Sequence, residues 1–185
     1  VVVMARRTII AVAAGVTLAL LACGDGGGSG PGGGTPSDTV RGVETALRNG
    51  AAGDYLRLLA NGYVFTAHTG TGEREWGRSE DYALITALFA RAVGYGCTMG
   101  WDGVGEPPEG VTEYTADVTM QIYVTLEGNV NYCAEGTGEL TFRRDTTART
   151  WLVAGWDDDG TGAETTLVGY EPFSWGEIKL LFEEE

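Results

Sequence analysis

Between residues 111 and 127 apolar and polar side chains alternate. Tyr114, Ala116, Val118, Met120, Ile122, Val124 and Leu126 interleave with Glu113, Thr115, Asp117, Thr119, Gln121 and Thr125. Successive side chains of an extended chain point to opposite faces, so this pattern predicts a long strand with one buried face. Glu127-Gly128-Asn129 follows as a hairpin turn, because Gly and Asn tolerate positive φ. A second strand over 130–143 places Val130, Tyr132, Ala134, Leu140 and Phe142 on one face. Gly136 and Gly138 share that face, where they let the strand bend or another group approach. A turn at Asp145–Arg149 leads to a last strand, Trp151–Trp156, and shorter strand character at Tyr95–Trp101 precedes the pair.

The N-terminal half carries a helical period. Val40, Val43 and Leu47 fall on one face after a capping Asp38, and Asn49-Gly50 stops the helix. Asp54 is positioned to cap a second helix containing Leu56, Leu58 and Leu59, closed by Asn61-Gly62. Tyr63–Thr69 reads as a strand. Ser79 is the expected cap of a third helix, with Tyr82, Ile85, Phe89 and Ala92 at helical spacing and Gly94 at its end. Near the C-terminus, Ser174 and Glu177 form a capping box, and Trp175, Ile178 and Phe182 share a face. So short a helix is marginal alone and is expected to dock. Helices first, then a curled antiparallel sheet, is an α+β plan.

That order, together with Ala46-Leu47, Gly53-Asp54 and Leu58-Leu59-Ala60-Asn61-Gly62-Tyr63-Val64-Phe65, resembles the nuclear transport factor 2-like superfamily. SnoaL-like polyketide cyclases, ketosteroid isomerases and scytalone dehydratases share its fold. Trp76-Gly77-Arg78 and the SWGEIK segment also look like a group of bacterial lipoproteins of that superfamily. The resemblance, over most of 38–157, implies a cone: a curved sheet wraps the helices and leaves an apolar pocket. Tyr114, Met120, Tyr132 and Trp156 are the candidates to line it. In the enzymes of the superfamily, Asp, His and Tyr in the cone move protons on apolar substrates. His68, Asp157 and Tyr132 are the catalytic candidates here. Asp117 alternates with Met120 and Ile122 and is expected to face outward, and His68 is expected at a rim. No Asp–Tyr or Asp–His pair is placed in the cone by pattern.

The first 22 residues form a different region. Arg6-Arg7 opens a segment whose Thr8–Ala22 stretch carries no charge. About 15 residues are too few for an ordinary transmembrane helix, which needs ~20, and fit the apolar region of a secretion signal. Leu20-Leu21-Ala22-Cys23 resembles the bacterial lipobox. The resemblance implies cleavage before Cys23, lipidation of its sulfur and anchoring of the mature protein to a membrane. Eight of the 14 residues from 24 to 37 are Gly, a tether rather than a fold, spanning ~20 Å as a coil. The expected division is a signal over 1–22, lipidated Cys23 and tether over 23–37, and one domain with a C-terminal docking helix over 38–185.

Charge narrows the function. The 185-residue chain has 26 acidic and 12 basic side chains, a net −14. Losing Arg6 and Arg7 leaves 10 basic against 26 acidic side chains, or −16. Such a body repels nucleic acid and anionic lipid, so membrane affinity falls to the acyl anchor. One His excludes a multi-histidine metal site, and no metal or cofactor is expected. Asp157-Asp158-Asp159-Gly160-Thr161-Gly162 lacks the fifth- and twelfth-position ligands of an EF-hand, since Thr161 and Val168 stand there. Export would permit a Cys97–Cys133 disulfide. The expected meander places a strand between them, however, and two strand spacings of ~9.6 Å exceed disulfide reach. The leading expectation is an exported, lipid-anchored protein of the bacterial cell envelope that binds a small apolar ligand or a protein without catalysis. The alternative is an isomerase, dehydratase or cyclase.

Overall fold

A computed structural model describes residues 33–100, 107–159 and 166–183. The signal, Cys23, the tether to residue 32 and Trp101 lie outside the described residues.

Helix α1 spans Pro36–Arg48. Thr35 caps it by accepting the Asp38 N–H at 3.1 Å, and Pro36 supplies a φ ready for the first turn. The helix therefore starts ahead of Asp38, which joins the first turn instead of capping. Val40, Val43 and Leu47 are buried as the spacing predicts, and Asn49 and left-handed Gly50 close the helix. Residues just before it are taken up by the domain: Gly33 accepts the Trp151 N–H at 2.9 Å. A Cβ on Gly33 would overlap Asp38, so this close approach requires Gly.

Helix α2, Ala52–Leu58, runs directly into strand β1, Leu59–Thr69. Asp54 lies in the first turn of α2 and pairs with Arg57 instead of capping. Asn61-Gly62 does not end a helix; it falls where the pairing of β1 shifts register. Strand β2, Gly72–Gly77, returns antiparallel to β1. It escaped the sequence pattern because only Trp76 in it is buried, as befits an edge strand.

Helix α3 spans Arg78–Arg91. Its cap is Gly77, whose N–H donates to the Glu80 carboxylate at 2.8 Å, so Ser79 is not the cap. The buried face is Asp81, Leu84, Ile85 and Leu88, rotated from the expected Tyr82, Ile85, Phe89 and Ala92. Ala92 turns the chain extended, and Gly94 lies within strand β3, Ala92–Gly100.

Strands β4 (Glu113–Leu126), β5 (Val130–Asp145) and β6 (Thr150–Asp158) complete the meander. The β4–β5 turn places Gly128 and Asn129 at φ 82° and 61°. The sheet order is β2-β1-β6-β5-β4-β3, and short β7, Glu171–Pro172, pairs with β5. Only β1–β6 and β5–β7 are parallel among these pairs. The sheet is curved and unclosed, the α+β cone architecture. Ser174 and Glu177 cap helix α4, Trp175–Leu180, reciprocally, and Trp175, Ile178 and Phe182 are buried.

Cys97 and Cys133 lie on either side of β4, as the expected meander places them. Neither forms a disulfide, and both are buried. Cys97 pairs across the sheet with core-facing Ile122, whereas Cys133 pairs with Tyr123, the next residue of β4. Neighbouring residues of a strand face opposite sides, so the two sulfurs point away from each other with β4 between them.

Candidate functional site

The concave interior is built from every layer of the fold. Alternation along β1 turns Tyr63, Phe65 and Ala67 inward, and the aligned residues of β6 contribute Trp156 and Asp158. Tyr55 enters from α2 and Asp81 from the first turn of α3. Helix α4 packs against β1, β5 and α3, and brings Trp175, Ile178 and Lys179. Two contacts seat its start. Asp158 accepts the Gly176 N–H at 2.6 Å, and a Cβ on Gly176 would overlap Ala67.

Lys179 and Asp81 meet here as an ion pair, both side chains 0% exposed. Asp81 also accepts the Tyr55 hydroxyl at 2.7 Å, and the Tyr55 and Tyr63 hydroxyls are 3.3 Å apart. The Lys179 Nζ lies 3.3 Å from the Phe65 ring centre, with Trp175 at 5.2 Å and Trp156 at 5.6 Å. Desolvating each ion costs several kcal/mol, which only close pairing and hydrogen bonding offset. Burial lowers the Lys179 pKa from its usual value, and the charges of Asp81 and Asp158 oppose that shift. Burial and then Asp81 push the Tyr55 and Tyr63 hydroxyls well above the ordinary tyrosine range.

Among the described residues the interior around this pair is tightly packed. The gap between α4 and β5, lined by Met120, Ala134, Gly136, Asp158 and Trp175 among others, holds about 10 Å³. That is room for about one water. Neither the Trp156 nor the Trp175 indole N–H, both buried, meets an acceptor among the described residues.

The residues singled out by sequence divide between inside and outside. Met120 and Trp156 are interior. Tyr114 is half-buried on Phe142, and Tyr132 is half-buried against Phe173, with ring centres 4.9 Å apart. His68 and Asp157 lie on the outer face, 45% and 49% exposed, with His68 Nε2 2.8 Å from Asp157 Oδ1. They reach no interior group, because strand alternation turns Phe65, Ala67 and Trp156 inward instead. Asp117 is exposed as expected, across from Glu139 and beside the same 430 Å³ hollow as His68, Asp157 and Asp159. No cluster of three or more His, Cys, Asp or Glu able to hold a metal occurs among the described residues. The acidic loop beyond Asp159, up to 165, lies outside them.

The interior pair was missed. A signal existed: Lys179, the chain's single lysine, sits four residues after Trp175 on the apolar face that Ile178 and Phe182 share. A lone cation on such a face calls for a buried partner.

No protein-family model matches the sequence, and no curated protein does. Solved structures do. A conserved protein from Planctomyces limnophilus is 16% identical, covers 65% of this chain and 88% of its own, and superposes with a TM-score of 0.56. The ketosteroid isomerase-like protein from Erwinia carotovora atroseptica is 13% identical over 65% and 89% of the two chains, TM-score 0.53. A protein provisionally assigned as a scytalone dehydratase, from Novosphingobium aromaticivorans, is 10% identical over 65% and 78%, TM-score 0.52. At these identities the likeness establishes the fold alone. The domain has the nuclear transport factor 2-like cone fold.

Proposed function

We propose that the protein is an exported, lipid-anchored binding module of the bacterial cell envelope. Its conical domain hangs outside the cytoplasm from Cys23 on the glycine-rich tether. It takes a small ligand or a protein partner and performs no chemistry on it. One observation carries the non-catalytic reading. Asp81, the interior carboxylate beside two tyrosines, already accepts from Tyr55 and Lys179, and the gap left between α4 and β5 holds only about 10 Å³. A general base must be free to reach the proton it takes. The anchor rests on the Leu20-Leu21-Ala22-Cys23 motif and the glycines that follow it.

The test joins fractionation to native mass spectrometry. The wild-type chain is expected in the membrane fraction, and Cys23→Ser is expected to release it. The extracted protein is expected to carry a non-covalent small molecule or a protein. A Cys23→Ser variant processed to the same mass and retained in membranes would remove Cys23 as the anchor.

A second reading has its own support. Asp81, Tyr55 and Tyr63 place a carboxylate and two phenols within hydrogen-bond reach inside an apolar shell, the equipment for proton transfer once α4 moves. Turnover of an apolar carbonyl or hydroxyl compound that Asp81→Asn abolishes would favour the enzyme.

A further inference from the structure

Eleven of the 12 basic side chains are Arg, and the twelfth is Lys179. Lys179 is fully buried, and none of the described arginines is. Packing alone does not call for a cation there: Trp175, Ile178 and Phe182 already supply the apolar face of α4, and an apolar side chain would continue it. What surrounds Nζ is a receptor for ammonium. Phe65 presents its face at 3.3 Å, Trp175 and Trp156 flank it, and Asp81 accepts an N–H while held by the Tyr55 hydroxyl. Aromatic faces joined to a carboxylate are the chemistry that recognises organic ammonium ions. The carboxylate's hydrogen bond selects a primary ammonium, which has N–H to donate, over a quaternary one.

Most of this receptor is independent of α4. Tyr55, Phe65, Asp81 and Trp156 come from α2, β1, α3 and β6. Helix α4 contributes the ammonium and Trp175. It is six residues long and has little helical stability of its own. With α4 docked, the Trp156 and Trp175 indole donors meet no acceptor among the described residues, a cost that opening would relieve. Burial also lowers the Lys179 pKa, so this side chain regains favourable hydration on leaving.

We propose that the inside of the cone is a binding site for a primary alkylammonium ligand, that Lys179 fills it as a tethered ligand, and that a free alkylamine competes with Lys179 and displaces α4. The inference rests on the binding-module reading and names its ligand class.

The direct test is amide hydrogen exchange on the full chain titrated with n-hexylammonium. Amides of 176–182 are expected to exchange about tenfold faster or more, saturably, while those of α1 keep their protection. Neutral n-hexanol is expected to leave the exchange of both regions unchanged. Unchanged exchange, or equal acceleration by the alcohol, overturns the proposal. A second test empties the site. In Lys179→Ala the missing atoms correspond to n-propylammonium, which is expected to raise the unfolding temperature by about 5 °C, where n-propanol does not. The rise is expected to vanish in Asp81→Asn/Lys179→Ala. A rise that survives loss of Asp81 contradicts an ammonium site. The two readings fail separately. A protein that ignores amines yet carries another ligand keeps the module and loses this inference. One that binds an amine and transforms it keeps the site and loses the non-catalytic reading.

Discussion

The outer face of the sheet and the inside of the cone each gather acids around one basic side chain, one cluster reached by water and the other withdrawn from it. Outside, Asp117, Glu139 and Asp157 stand side by side across β4, β5 and β6, and His68 reaches Asp157 at 2.8 Å. Water reaches His68 and Asp157, each about half exposed, and screens them. Inside, Asp81 and Lys179 are wholly withdrawn from water and held by Tyr55 and the rings of Phe65, Trp156 and Trp175. The outer group has more charges, yet each interaction there is worth at most about 1 kcal/mol. The inner pair has two charges that cannot be separated cheaply. Solvation, more than the number of acids, decides which cluster the fold depends on.

The contrast sets the order of expected effects. Removing one inner partner, by Asp81→Ala or Lys179→Ala, is expected to cost about 3–5 kcal/mol in denaturant unfolding, because the other charge is left buried and unpaired. A cost below about 1 kcal/mol, the exposed-pair range, would show that water enters the cone. Trp175→Ala is expected to cost a similar ~3–5 kcal/mol. An unchanged midpoint would mean that α4 does not dock.

Alkaline titration sharpens the same contrast. Burial pushes the Cys97 thiol up to about 12, with Glu44 adding to the shift and Arg48 opposing it. Tyr55 and Tyr63 are raised as well. A raised folded pKa means stability present below the unfolded value and lost as pH climbs toward the folded one. Lys179, shifted down, works in the opposite sense, with stability lost as pH falls through its folded pKa. Three groups against one predict a net loss from about pH 9 upward. Cys97→Ala is expected to flatten that decline between pH 9 and about 12, read from denaturant midpoints. An unaltered slope would place the thiol in water.

The outer face should respond least. His68→Ala or Asp157→Asn is expected to change stability by less than about 1 kcal/mol. Asp117→Asn relieves repulsion with Glu139 directly opposite and is expected to stabilise by about 0.2–0.5 kcal/mol. A large loss at any of these positions would mean that the outer row is structural after all.

The outside was legible in the sequence for the reason that the inside was not. One-for-one alternation assigns faces, so β4, the Gly128-Asn129 turn and the exposure of Asp117 follow from pattern. The capping box at Ser174 and the docking of Trp175, Ile178 and Phe182 are likewise local. Asp81 defeats the same method. A buried acid reads as the polar face, and counting it so rotated α3 onto Tyr82, Phe89 and Ala92. Its partner Lys179 lies 98 residues away. Only the fold brings them together, through the docking of α4 against β1 and α3. Pairing at that separation leaves no periodic trace, although a single lysine on an apolar face was a clue to look for one.

The claim that the cone is closed on its own lysine has a direct chemical readout. Lys179 is the only lysine, so an amine-acylating reagent has a single side-chain target. Peptide mapping of the full chain, treated first native and then unfolded, measures how well that amine is hidden. Lys179 is expected to be acylated at least about a hundredfold more slowly in the native protein, since reaction must wait for α4 to open. Native acylation at the unfolded rate would contradict it, placing Lys179 in water, Asp81 without its cation and the cone open.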